Sequence, residues 1–329
     1  MISDMSLWLK LLLAMAFAAA VSFMMTPPVK RFAEKVGAID IPKDERRVHD
    51  HPIPRMGGLA IFIGFVLSLL IFVDVSTPVL GILLGALIIV VMGAIDDIVN
   101  LNAWVKLAGQ IVAAVVAIRC GIVFDAISNP NAFSEQTTIV LANYLPVPLT
   151  LLWIVGCTNA VNLIDGLDGL ATSTSIVCLC FFAVLMAMHV YRGYLSGEVL
   201  NADNEYALIQ LVLCAVGALS GFLLFNCFPA KIFMGDTGSL ALGGLIASVC
   251  VFTEYSLFVP FFGIMFVVSV VSVILQVFSF KVFKRRIFRM APFHHHLQEK
   301  GIAENRVVQI YVAVSVAVSL LLMALTYLR

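Results

Sequence analysis

The chain is a succession of long apolar runs joined by short polar connections, and this pattern limits its folding more than any single motif does. Runs bounded by Pro, Gly or charge fall near 6–26, 57–75, 79–95, 103–123, 148–161, 170–190, 206–225, 239–254, 257–280 and 307–328, the fifth being short. Most approach the roughly 20 residues a helix needs to cross a bilayer. They are continuous rather than alternating, which excludes a transmembrane β-barrel. Hydrophobic residues make up 61% of the 329 and charged residues 12%, against about half and a quarter in soluble domains, so a soluble globule is excluded as well. The expected fold is an all-α polytopic membrane protein of about ten transmembrane helices, a single integral domain over 1–329. The first run lacks a basic leader and a small-residue cleavage site, so it is expected to be a retained span rather than a signal peptide.

Net charge is zero, so the placement of charge carries the information. Of the 20 basic residues, seven (Lys30, Arg31, Lys35, Lys43, Arg46, Arg47, Arg55) lie in the loop after the first run. Another seven (Lys281, Lys284, Arg285, Arg286, Arg289, Lys300, Arg306) lie in the loop after the ninth. With ten spans both loops share one side, which the positive-inside rule makes cytoplasmic, leaving both termini extracytoplasmic. The opposite loops carry Asp125, Glu135, Glu198, Asp203 and Glu205 with one basic residue, Arg192. Within 124–147, Asn129-Pro130-Asn131 and a short apolar stretch suggest a small β-hairpin. Seven cysteines, mostly inside apolar runs, lack metal-ligand or disulfide spacing and read as small core residues.

The cytoplasmic loops also hold the unusual acids: Asp96 and Asp97 in GAIDD, Asp165 and Asp168 in NAVNLIDGLDGLA, and Asp236 in AKIFMGDTGSLALGG. Carboxylates at the ends of apolar helices are costly to desolvate, and paired ones repel, so they need a cation, a proton or full hydration. Taken singly they read as solvated helix caps, with Thr237 or Ser239 as the N-cap of the eighth span. Five on one membrane face point instead to a divalent ion. DGLDG is not an EF-hand, because the twelfth position from Asp165 is Ile176 rather than a bidentate Glu. Magnesium held by one or two carboxylates, leaving positions for phosphate oxygens, suits the pattern. Only Lys106 and Lys231 lie close in sequence to offset the acids. Gly166, Gly169, Gly235 and Gly238 permit close backbone approach to phosphate.

The loop after the ninth run contains RMAPFHHHLQEKG, residues 289–301. Three consecutive histidines cannot all face one ligand, since neighbours on a helix diverge by about 100°. Two at most act on a substrate, through hydrogen bonding or proton transfer rather than as magnesium ligands. The first basic loop, DERRVHDHPIPRMGG, offers His49 and Arg55 to a phosphate or a lipid head group, or simply sets topology.

GAIDD, NAVNLIDGLDGLA, FNCFPAKIFMGDTGSLALGG and MAPFHHH, in this order, resemble the polyprenyl-phosphate N-acetylhexosamine-1-phosphate transferases over nearly the whole chain. The resemblance implies transfer of a sugar 1-phosphate from a UDP-sugar to a membrane polyprenyl phosphate, releasing UMP. It also implies magnesium at the cytoplasmic face of ten helices in a bacterial plasma membrane, and a homodimer. The two ends of the chain resemble different branches. RRVHDHPIPRMGG and Thr237 are similar to the branch using UDP-GlcNAc, whereas SVILQVFSFKVFKRRIFRMAPFHHHLQEKG is similar to the phospho-N-acetylmuramoyl-pentapeptide branch, which uses UDP-MurNAc-pentapeptide and undecaprenyl phosphate. The second is weighted more heavily, because that loop sits where the family selects its sugar. The muramoyl branch usually has a Lys and Thr-Pro-Thr before Met-Gly-Gly; here His49 or Arg55 is left to replace that lysine.

Position by position, the resemblance implies Asp236 as principal magnesium ligand, Asp96 as the aspartate that deprotonates or orients the lipid phosphate, with Asp97 beside it, and Lys106 as a neutraliser of phosphate charge. Asp165, Gly166, Leu167 and Asp168 correspond to a uridine-contacting loop, with Phe233 stacking on uracil and Asn162 and Asn226 in polar contact. His294 and His295 match histidines needed for activity, with His296 beside them. An aspartyl-phosphate on Asp96 or Asp97 is a second chemical route. A rival of another class is a cation-coupled transporter, but its acids belong near the bilayer midplane and in repeated halves, whereas these lie at span ends and no repeat is present.

Overall fold

The structure, a computed structural model, describes residues 6–41, 52–124, 126–128, 138–196, 202–253 and 255–327. His49, the other charged residues of 42–51, and Asp125, Glu135 and Glu198 lie outside the described residues.

A helix stands at each of the ten expected places: α1 (Leu7–Val36), α2 (Gly58–Phe72), α3 (Thr77–Val99), α4 (Ala103–Arg119), α5 (Pro146–Ile164), α6 (Leu170–Ser196), α7 (Ala202–Asn226), α8 (Gly235–Phe252), the pair α9 (Val259–Phe262) and α10 (Ile264–Phe283), and, after the short α11 (Phe293–Gln298), α12 (Glu304–Tyr327). Eight are long and apolar enough to cross a membrane, so the chain is a multi-pass helical membrane protein. The exceptions are α2, with 15 residues, and α4, with 17. At 1.5 Å per residue, α2 spans only roughly 22 Å.

Several expected boundaries shift. The fifth span is not short, since α5 has 19 residues. The first helix continues ten residues past its apolar run, through Pro27 and Pro28 to Val36, because Val29 and Ala33 still have a buried face to fill. The ninth run is apolar throughout yet breaks at Gly263, where α9 ends and α10 begins.

The most enclosed helices are α7 and α8, buried over 72% and 83% of their most apolar windows, against 28% for α1 and 22% for α10. They form the centre, and the outer helices turn apolar faces to the bilayer. Among the described residues, two small antiparallel sheets complete the fold. Strands β1 (Ile39–Asp40) and β2 (Ile53–Pro54) pair with Asp40 opposite Ile53. The hairpin expected within 124–147 is present as β3 (Ala126–Ser128) against β4 (Thr138–Val140).

Candidate active site

Four helix ends meet at the site. At the end of α3, Asp96 accepts the Leu101 backbone N–H at 2.6 Å and the Lys106 ammonium at 2.9 Å. Lys106 stands in the first turn of α4, where the Asn102 side chain caps the helix by accepting the Trp104 N–H. Its ammonium also donates to Asp236 Oδ2 at 3.0 Å, so one cation bridges carboxylates from α3 and α8. Asp236 Oδ1 accepts from Asn162 Nδ2 at 2.9 Å, and that amide also donates to Ser239 at 2.9 Å. One turn further along, the Asn159 amide donates to Gln110 Oε1 at 2.7 Å, tying α4 to α5 below the bridge.

Asp97 departs from its expected catalytic place. Its Oδ1 accepts the Asp236 N–H at 3.0 Å, and its Oδ2 accepts the Thr237 N–H at 3.1 Å and the Thr237 hydroxyl at 2.6 Å. It therefore caps α8 from another helix, supplying the acceptor that the first-turn N–H groups need. This corrects the expectation that Thr237 or Ser239 is the N-cap: both lie inside α8, and the capping position, Met234, makes no side-chain cap bond. The contact requires bare backbone at Gly235, which has φ +69° and would drive a Cβ into the Asp97 carboxylate. It also requires it at Gly93, where a Cβ would lie 2.6 Å from Thr237 N.

The loop from Asp165 to Gly169 joins α5 to α6. Scarce water, and the charges of Asp236 and Asp97, push the Asp165 carboxyl up to about 8, against an opposing pull from Arg55. Asp168 is held at both ends: its N–H donates to Glu304 Oε1 at 2.7 Å, and its Oδ2 accepts the Ala230 N–H at 2.8 Å. Leu167 is buried. Glu304 is not singled out by the sequence, where it stands just before the last apolar run and no local motif marks its contact with Asp168.

The three histidines do not share one direction: His294 and His295 stay together and His296 turns away. His294 is fully buried against Gly166, with no hydrogen-bond partner for either ring nitrogen among the described residues. Its burial, and the neighbouring His295, push its pKa down to about 3, so its ring is neutral. The His295 ring lies 4.2 Å from that of His294, centroid to centroid, and its Nδ1 is 2.8 Å from Gln298 Oε1. His296 faces elsewhere: its Nδ1 accepts the Arg289 N–H, and its ring packs on Phe288 and Phe293. Its place is therefore structural.

Asn226 is also spent internally, accepting from Thr172 at 2.6 Å and donating to Ile232 O at 3.1 Å, which fixes the turn after α7. Phe233 joins β2 to that turn through Phe233 N–H to Pro54 O and Gly57 N–H to Phe233 O. Arg55, beside it, pairs with Asp40 across the β1–β2 sheet. The front motif therefore docks on the site.

Among the described residues no three His, Cys, Asp or Glu side chains form a ready-made metal cage. The donor set still fits magnesium as it is usually held, by one or two carboxylates with phosphate oxygens supplying the rest. Asp236 and Asp96 offer hard oxygens on either side of a position already compensated by positive charge.

The family described as glycosyl transferase family 4 matches residues 79–254. A Bacillus subtilis (strain 168) protein described as a probable undecaprenyl-phosphate N-acetylglucosaminyl 1-phosphate transferase is 37% identical over 306 residues, covering 90% of this chain and 80% of that protein. The phospho-N-acetylmuramoyl-pentapeptide-transferase of Heliobacterium modesticaldum is 38% identical over 273 residues, 80% of each chain. That of Pelagibacter ubique is 36% identical over 299, covering 84% of this chain and 80% of its own.

Proposed function

Because the chain belongs to glycosyl transferase family 4, whose relatives here are phospho-sugar transferases, we propose that it transfers phospho-MurNAc-pentapeptide from UDP-MurNAc-pentapeptide to undecaprenyl phosphate, with release of UMP. The observation that carries the chemistry is the Lys106 bridge between Asp96 and Asp236, with Asn162 on the far oxygen. This is a preorganised charge array at one membrane face. Phosphoryl transfer depends mainly on positioning and electrostatics, so such an array needs no covalent partner.

In this reading an oxygen of the lipid phosphate attacks the sugar-proximal phosphorus, a new P–O bond forms, and the bond to the UMP oxygen breaks. Asp236 and Asp96 would hold magnesium, which would supply neutralisation of diphosphate charge. Lys106 neutralises phosphate beside them and donates to both carboxylates. Asp168, Gly166 and Leu167 line the uridine side with Phe233. His295 offers a ring nitrogen to the substrate, backed by the buried, neutral ring of His294, and Arg55 stands at the rim. Direct attack is favoured over an aspartyl-phosphate on Asp97, because three donors occupy its oxygens. By the distribution of basic residues, the site faces the cytoplasm of a bacterial cell.

The segment 272–301 supports the muramoyl substrate through its resemblance to that branch, and its His294 packs on the 165–168 loop. UDP-GlcNAc is the second reading, favoured by RRVHDHPIPRMGG and by the Bacillus subtilis relative. The test is UMP release by purified protein with undecaprenyl phosphate and magnesium, offering the two UDP-sugars in parallel, with Asp236→Ala as control. Turnover only with the muramoyl substrate is the expected result. Turnover only with UDP-GlcNAc selects the second reading, and no UMP from either ends both.

A further inference from the structure

One turn deeper than the cluster that grips Asp236 stand two amides, Gln110 and Asn159. Gln110 follows Lys106 by four residues on α4, and Asn159 precedes Asn162 by three on α5, so each shares a helix face with a residue that holds Asp236. Gln110 is buried, at 2% exposure, and lies roughly 10 Å along the axis of α4 from its first residue. The two amides bond reciprocally: Asn159 Nδ2 donates to Gln110 Oε1 at 2.7 Å, and Gln110 Nε2 donates to Asn159 Oδ1 at 3.4 Å. Asn159, though exposed, also donates to the Val155 carbonyl at 2.7 Å, which fixes the amide plane against its own helix.

Amides are an unfavourable choice at this depth, since an unpaired one finds no water in hydrocarbon and a leucine pair would insert more readily. Nor does such a pair add much stability, because polar contacts between membrane helices contribute little on average. What it provides is a fixed length and direction between two helices. Their spacing matters one turn higher, where Lys106 reaches Asp236 Oδ2 from α4 and Asn162 reaches Oδ1 from α5. Asn162 has little slack to follow a displaced helix, because its amide donates to Ser239 as well. The other flank of α4 is already fixed to α3, by Lys106 on Asp96 and by Gly109, where a Cβ would lie 2.2 Å from Met92 Sδ.

We infer that Gln110 and Asn159 are positioning residues of the reaction, given the reading of the Asp96–Lys106–Asp236 cluster as the catalytic one. Their reciprocal amide pair sets the spacing of α4 and α5, and through it the grip of Lys106 and Asn162 on the two oxygens of Asp236. Neither amide touches the reacting groups; both act through the residues one turn above them.

The test has two readouts, one of which needs no substrate. Lys106 in the purified full chain is labelled with an amine-reactive reagent, and its modification is read by peptide mass spectrometry against Lys300. In parallel, UMP release is resolved into kcat and KM. Gln110→Leu is expected to melt within about 2 °C of wild type, as the small average contribution of such pairs implies. It is expected to label at Lys106 about fivefold faster and to lose about tenfold in kcat, with little change in KM for the UDP-sugar. Gln110→Asn leaves the pair one methylene short and Asn159→Gln leaves it one too long, so each is expected to share these defects. Combining the two restores the length and should return labelling and kcat to near wild-type values. Thr158→Val, which removes a hydroxyl bonded to its own helix at Ile154 O, is the control and should change neither. A combined variant as defective as the single ones, wild-type kcat in Gln110→Leu, or unchanged labelling of Lys106 would each overturn the assignment. If wild type releases no UMP from either UDP-sugar, the proposed reaction fails, and the labelling series alone decides whether the pair sets the grip on Asp236.

Discussion

Gly166 lies so close to His294 that a Cβ at position 166 would sit 2.5 Å from the imidazole Nε2. The loop joining α5 to α6 therefore tolerates only backbone at this contact. Gly166→Ala is expected to push the ring aside and lower turnover by about 100-fold, the scale of an ångström of misplacement in an active site. Gly156→Ala, where a Cβ meets nothing within 4 Å, is the matched control. Steady-state UMP release measures both, and an active Gly166→Ala enzyme would mean that the contact does not position the ring.

Burial of His294 has a consequence for stability. Its folded pKa, about 3, lies below the value near 6.5 of an unfolded histidine. Between these values the unfolded chain binds the extra proton, so this residue favours unfolding progressively as pH falls from about 6.5 to 3. Its contribution is constant above that window. Thermal unfolding in detergent at pH 7 and pH 5 should therefore show a larger acid-induced fall for wild type than for His294→Gln. Parallel falls would place the proton elsewhere.

Asp97 is expected to act through α8 rather than on substrate. Asp97→Ala removes an acceptor from three donors and should lower the melting temperature by several degrees, since hydrogen bonds to a charged group contribute about 1.5–3 kcal/mol each. Activity should fall with it, because Asp236 stands on the released turn. Asp97→Asn, which keeps one carbonyl oxygen, should be intermediate in both. A variant that melts like wild type yet is as inactive as the alanine form would restore Asp97 to a direct chemical role.

Glu304 is predicted to matter through Asp168. Glu304→Ala frees the Asp168 N–H and loosens the loop on the nucleotide side, so KM for the UDP-sugar should rise about tenfold while kcat changes less. Glu304→Gln keeps an acceptor oxygen and should recover most of the loss. A pure kcat defect, or no difference between Ala and Gln, would contradict this.

The apolar runs and the acids at their ends were legible in sequence for one physical reason: both are expensive arrangements in a membrane, and they stand out locally. That at most two of the three histidines share one direction followed from helical spacing alone. What escaped was long-range. No local pattern distinguishes an aspartate that caps another helix from one that faces substrate, so Asp97 looked like the twin of Asp96. Glu304 bonds a loop 136 residues away in the chain, and Asn226 spends its amide on Thr172 and the Ile232 carbonyl, neither of which a local motif shows. The break at Gly263 was hidden because hydropathy continues unchanged across it.

The bond from the Asp236 N–H to Asp97 joins residues 139 apart in the chain. At typical synthesis rates of 5–20 residues per second, roughly 7 to 28 s pass between the emergence of one partner and the other. Asp96 meets its own donors, Leu101 and Lys106, almost at once, but throughout that interval the three donors of Asp97 have not yet been made. Only water at the membrane surface can stabilise the Asp97 carboxylate, which favours holding the newborn helix end at that depth until the eighth arrives. The same aspartate that later caps α8 thus serves first as a depth gauge during insertion.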